Sequence, residues 1–156
     1  MKQTPWEKLV ANTRRVLGKN GCAWCRRISL FRWTQYLEEE VGELRKAIRQ
    51  KDFDEAAEEL GDILWVALLL AERARIDKKF SLTKSLQQAR AKSTRRHPQV
   101  FAGLKLKNMR ELVEMYEKIK QKEKEKKDRQ KKQRLKKRHV LMRENHGPAK
   151  PTSIAR

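Results

Sequence analysis

The chain has 156 residues, with 40 Lys or Arg against 20 Asp or Glu and a formal charge of +20. Its 38% apolar residues suffice for one domain with a real core, and the basic excess points to polyanionic partners: nucleotides, nucleic acid or acidic surfaces. The longest apolar stretch, residues 63–71, is far short of the roughly 20 residues a membrane-spanning helix needs, and Thr4, Pro5 and Glu7 interrupt the start before any signal-peptide pattern develops. A cytoplasmic protein with no membrane partner is expected.

Residues 6–17 carry Trp6, Leu9, Val10, Val16 and Leu17 at helical spacing and stop at Gly18 and Gly21, which predicts a short first helix. The loop over residues 19–29 holds Cys22 and Cys25, the two cysteines of the chain. Their spacing matches half a zinc site or a redox pair. Zinc needs four ligands and no second cysteine pair closes the site, so a structural role is the plainer reading.

From about residue 30 to 50, Leu37, Val41, Leu44 and Ile48 step by four, three and four, an amphipathic stripe. On a wheel turning about 100° per residue, Glu40 lies about 60° and Glu43 about 120° from Leu37 on one side of that stripe, while Glu39 falls on the far side. Asp52 or Asp54 can cap the next helix, which runs to about Ile76. Its middle is apolar around most of its circumference and should be central in a bundle, with Glu59 and Asp62 in the turn at its entrance. Trp24 and Trp65 read as packing residues.

A fourth helix fits residues 82–95, ended by His97-Pro98 and bracketed by Phe80 and Phe101 as core anchors. A fifth fits residues 109–122, with Leu112, Val113, Tyr116 and Ile119 at helical intervals. Beyond Lys122, Glu123 with Lys127, Glu125 with Arg129 and Asp128 with Lys132 offer opposite charges four apart for a solvated helix. Residues 147–151, Gly-Pro-Ala-Lys-Pro, read as disordered. No strand-like alternation of useful length appears. The expected fold is all-α, a four-helix-bundle-type domain over residues 1–123 with a basic helical or disordered extension over 124–156.

Two pairs of acids carry the chemistry: Glu40 with Glu43, and Glu59 with Asp62, each three residues apart on one helix face. Four carboxylates converging from two packed helices repel one another and need a cation to hold them. Hard oxygen ligands favour magnesium, with manganese as the alternative, and point to phosphate chemistry.

The strings Tyr36-Leu-Glu-Glu-Glu-Val-Gly-Glu43, Glu58-Glu-Leu-Gly-Asp-Ile-Leu64 and Arg95-Arg-His-Pro-Gln-Val-Phe101, in that order, resemble the MazG family of all-α nucleoside triphosphate pyrophosphohydrolases. Gly21-Cys-Ala-Trp24 is similar to the family's Gly-Cys-Pro-Trp segment. Tyr116-Glu-Lys-Ile-Lys-Gln-Lys-Glu123 is similar to its closing Trp-x-x-Ile-Lys-x-x-Glu, so the resemblance spans about residues 5–123. It implies hydrolysis of an NTP or dNTP between the α- and β-phosphates, giving the monophosphate and pyrophosphate. It also implies Mg²⁺ held by Glu40, Glu43, Glu59 and Asp62, and a homodimer or higher homo-oligomer. By the same resemblance Lys92 and Arg96 are associated with the phosphates, and Tyr116 and Lys120 with the nucleotide.

The chain departs from the family pattern at Cys25, where the family has Asp, at Ala23 for Pro, at residues 28–30 for Gln-Thr-His, and at Tyr116 for Trp. None of these removes a metal ligand. Glu39 or Glu58, adjacent to the metal pairs, can orient or deprotonate the attacking water. The alternative reading is a catalytically inactive helical module that binds nucleic acid through the basic tail, whose 13 Lys or Arg in residues 124–156 can neutralise backbone phosphates. A third is a structural oligomer whose acids form salt bridges only.

Overall fold

The computed structural model describes residues 2–145. Thr4 opens the first helix, α1 (Pro5–Leu17), with a reciprocal cap: its hydroxyl accepts the Glu7 N–H at 3.2 Å, and the Glu7 carboxylate accepts the Thr4 N–H at 2.8 Å. After Gly18 the chain doubles back until the Cys22 N–H reaches the Val16 carbonyl at 2.8 Å. A Cβ at Gly21 would collide with the Arg15 and Val16 carbonyl oxygens, so this return requires glycine. A short 3₁₀ turn, Cys25–Arg27, leads to Ser29, whose hydroxyl accepts the Arg32 N–H and caps α2 (Leu30–Gln50).

Lys51 ends α2 in a left-handed conformation with φ 60°. Asp52 at once caps α3 (Phe53–Ile76), accepting the Glu55 N–H at 3.1 Å. A link this short makes the two helices antiparallel neighbours, so positions equidistant from Lys51 come to one level. Glu43 and Glu59 each stand eight residues from Lys51, and Glu40 and Asp62 each stand eleven.

α3 packs against both α2 and α1, as its apolar middle led one to expect. Buried Ala47, Ala56, Ala71 and Ala74 leave room for close helix approach, and Leu17, Ile28, Trp33, Val66 and Leu69 form the core cluster. Buried Glu72 is satisfied by two hydrogen bonds from Arg75, at 2.7 and 2.8 Å. Arg73 pairs with Asp77 at 3.0 Å and donates to the Arg26 carbonyl, tying the end of α3 to the 3₁₀ turn.

The α2–α3 hairpin is covered on part of its circumference only. Val41 and Ile48 on α2 are 41% and 53% exposed, and Leu60 and Leu64 on α3 are 50% and 41% exposed. Half of the stripe read from the sequence therefore faces outward.

α4 (Leu82–Arg96) buries no residue, and Phe80 and Phe101 are exposed rather than core anchors. An aromatic side chain becomes an anchor only where an opposing apolar surface covers it, and Phe80 and Phe101 remain 40% and 60% exposed. His97 breaks the helix as expected, and α5 (Pro98–Phe101) follows. Asn108 caps the last helix by accepting the Glu111 N–H at 3.0 Å, and α6 runs from Met109 to Asn145. The helix expected to Lys122 thus continues well into the basic extension.

Of the three charge pairs expected there, none forms: Glu123 is taken by Arg95 and Arg96, and Glu125 accepts from Gln121. Residues 147–151, read as disordered, lie outside the described residues. The chain divides into two compact units, Met1–Ala89 and a second beginning at Arg90, with the boundary inside α4. Among the described residues there is no strand, and no helix is long and apolar enough to cross a membrane.

Candidate active site

In the first unit, the hairpin brings Glu40 and Glu43 of α2 together with Glu59 of α3, each offering a carboxylate oxygen within 4.8 Å of the others. Glu59 is buried, Glu40 half-buried and Glu43 exposed, so the group opens outward from a covered floor. Glu59 Oε2 is buried without a hydrogen-bond partner. Burial first, then the charges of Glu43, Glu40, Glu55 and Asp62, push the Glu59 carboxyl up to about 7. Burial also raises Glu40, followed by the charges of Asp62 and Glu43.

The strongest charge on Glu59 is Glu43 and the strongest on Glu40 is Asp62, the two level pairs the hairpin creates. Asp62 itself is exposed and lies outside the three-carboxylate group, though its charge is felt by two of the three. An unpartnered buried oxygen among mutually repelling carboxylates fits a divalent cation with oxygen ligands, because one such ion removes both the repulsion and the missing contact.

A second cluster lies in the second unit. Glu123 is only 13% exposed and accepts from both neighbouring arginines: Arg95 at 2.6 Å and Arg96 at 2.7 Å. These hydrogen bonds, Arg96 first, hold the Glu123 carboxyl below the usual carboxylate range and raise Arg96. Arg96 lies 5.6 Å from the centre of the Tyr116 ring and within 3.5 Å of its hydroxyl. Lys120 Nζ stands 5.5 Å from the same ring while pairing with Glu117 at 2.9 Å. The result is a guanidinium held by Glu123 and an ammonium beside one aromatic ring.

Residues 30–101 match the MazG nucleotide pyrophosphohydrolase domain, and these residues contain the whole carboxylate group. The chain carries a MazG-family domain. The MazG-related protein of Thermotoga maritima, a solved structure, superimposes with a TM-score of 0.65 at 27% identity, covering 74% of this chain and 98% of that one. The Escherichia coli K12 nucleoside triphosphate pyrophosphohydrolase is 33% identical over 106 residues, 68% of this chain and 40% of its own length. The Bacillus subtilis uncharacterized protein YabN is 35% identical over 111 residues, 71% of this chain and 23% of its own. The chain thus spans two fifths or less of the length of these curated relatives.

The remaining site positions separate. Glu39 is exposed and held by Arg32 at 3.6 Å, away from the carboxylate group as the helical wheel indicated. Glu58 is exposed beside Glu59. Lys92 is exposed and forms no ion pair among the described residues, while Arg96, Tyr116 and Lys120 are drawn together. Two participants were missed. Glu55, one turn before Glu59, adds to its repulsion, and its spacing of four was readable. Glu123 reaches back 27 and 28 residues to its arginines, a distance no helical period reports.

Proposed function

We propose that this MazG-family chain is a Mg²⁺-dependent nucleoside triphosphate pyrophosphohydrolase, releasing the monophosphate and pyrophosphate from an NTP or dNTP. The observation that carries it is the gathering of Glu40, Glu43 and Glu59 around a buried, unpartnered carboxylate oxygen. The names of the Escherichia coli and Thermotoga maritima relatives, both nucleoside triphosphate pyrophosphohydrolases, support the reaction class. Mg²⁺ is the preferred ion and Mn²⁺ the substitute, with Glu40, Glu43 and Glu59 as ligands and Asp62 joining from one turn further along α3.

A cation held by Glu40, Glu43 and Glu59 would supply positive charge against the triphosphate and would lower the pKa of a bound water. The chain's own groups do the rest. Glu58 presents a carboxylate beside Glu59 and accepts the proton of the attacking water. Glu39, engaged by Arg32, is the weaker acceptor of the two. Arg96, held by Glu123, and the exposed Lys92 four residues before it bind phosphate oxygens. Tyr116 offers its ring to the base, and Lys120 adds a cation at its edge.

The exposed apolar side chains Val41, Ile48, Leu60 and Leu64 support a homo-oligomer in which a second copy covers them. The 13 Lys or Arg of residues 124–156 support an added, non-specific affinity for nucleic acid.

The deciding experiment assays a panel of NTPs and dNTPs with Mg²⁺ and separates the products. Monophosphate and pyrophosphate in equal amounts are expected, with no diphosphate released. Stepwise diphosphate and orthophosphate would indicate another phosphohydrolase. No turnover of any triphosphate, together with nucleic-acid binding, would leave the inactive-module reading in its place.

A further inference from the structure

The departure at Cys25 places a second thiol one helical turn after Cys22, and the local backbone holds the two in a defined relation. The Gly21 return fixes Cys22 through its N–H to Val16, and the Cys22 carbonyl accepts the Arg26 N–H at 3.1 Å, closing a helical turn. Within that turn the Cys25 N–H donates to Cys22 Sγ at 3.4 Å. Positions three apart on a helical turn have Cα atoms about 5 Å apart, inside the span a disulfide accepts. Cys22 is exposed, whereas Cys25 is half-buried and packs against the core cluster of Leu17, Ile28, Trp33, Val66 and Leu69. Among the described residues no third ligand joins the two sulfurs.

We propose that Cys22 and Cys25 are an oxidation site, a dithiol that closes reversibly to an intraturn disulfide, with Cys22 attacking a small-molecule disulfide and Cys25 resolving the adduct. Hydrogen bonds from the Cys25 backbone and then from its thiol lower the Cys22 pKa, so Cys22 is the readier thiolate. Burial, then the neighbouring Cys22, pushes Cys25 up to about 11, keeping it protonated until a leaving group is in place.

The Cys22 thiolate attacks one sulfur of the small disulfide, breaking its S–S bond and releasing one small thiolate. Cys25 then loses its proton and attacks Cys22 Sγ, displacing the second small thiolate and forming the Cys22–Cys25 bond. Two protein thiols are oxidised and one small disulfide is reduced to two thiols.

The test uses the full reduced chain, graded ratios of oxidised to reduced glutathione, an alkylating quench and intact mass. Wild type should pass to a species lacking two hydrogens and both alkylatable thiols, without accumulating adduct. Cys25→Ser should stop at one glutathione adduct on Cys22, and Cys22→Ser should form its adduct roughly tenfold more slowly. Cys25→Ala, which keeps the apolar packing, repeats the Cys25→Ser arm should the serine variant misfold. Accumulation of mixed disulfide in the wild type, a disulfide-linked dimer, or equal adduct rates in the two serine variants would overturn the assignment.

Discussion

Glu59 is the residue on which the metal reading turns, and its charge state makes that reading measurable. In the metal-free chain it titrates near 7 rather than the usual 4.5, so between those values the folded chain keeps a proton that the unfolded chain has lost. Stability therefore falls as pH rises from about 4.5 to about 7 and levels off above. Thermal melts of metal-free wild type and Glu59→Gln should show this decline in the wild type and a flatter profile in the variant, which has no proton to lose. Saturating Mg²⁺ should remove the decline, and calorimetry in buffers of different ionisation heat should register proton release on binding. Identical pH profiles for the two proteins would dissociate Glu59 from the site. Glu123 sets a second case: Glu123→Gln leaves Arg95 and Arg96 without the carboxylate that orients them. On the proposed function, KM for the triphosphate should rise several-fold with kcat nearly unchanged, and Glu123→Asp should recover part of the loss.

At the scale of elements, the Lys51–Asp52 link decides how the acids of α2 meet those of α3, and α6 decides what the basic extension can do. The side chains of Lys124 to Lys137 are exposed, and among the described residues the long-range ion pairs to α6 end at Glu123. Truncation after Glu123 removes none of the groups proposed to bind metal or the triphosphate. The shortened chain should keep its helical signal apart from the lost turns and should keep its pyrophosphate release. Its binding to RNA should lose salt dependence, by roughly 0.7 to 0.9 in the log–log slope for each phosphate contact removed. A salt series on both forms, run beside the pyrophosphate assay, separates these outcomes. Loss of activity with the fold intact would mean that the extension contributes to the site.

At the scale of the molecule, the apolar residues left outside are the informative ones. Leu60 and Leu64 stand one turn apart on α3, Val41 and Ile48 two turns apart on α2, and exposed apolar side chains gathered on one hairpin are what association buries. Light scattering coupled to size exclusion should give at least twice the mass of one chain, and Leu60→Glu should shift it toward one. Monomeric wild type at micromolar concentration would remove the homo-oligomer from the reading.

The sequence alone determined the helices, because their signals are local. Thr4 with Glu7, Ser29 and Asp52 are caps that act within one turn, and the apolar steps of α2 and α3 repeat within a few residues. It also determined the family, since the acids, the Arg-Arg-His-Pro segment and their order are all written in the chain. Tertiary structure decided which acids gather. Glu40, Glu43 and Glu59 converge while Asp62 stays exposed at the edge, an outcome of helix rotation and antiparallel register that spacing along one helix does not contain. It decided as well that Glu123 serves Arg95 and Arg96 rather than Lys127, and that Phe80 and Phe101 remain uncovered. Burial and long-range ion pairing are properties of two surfaces brought together, and a single stretch of sequence specifies only one of them.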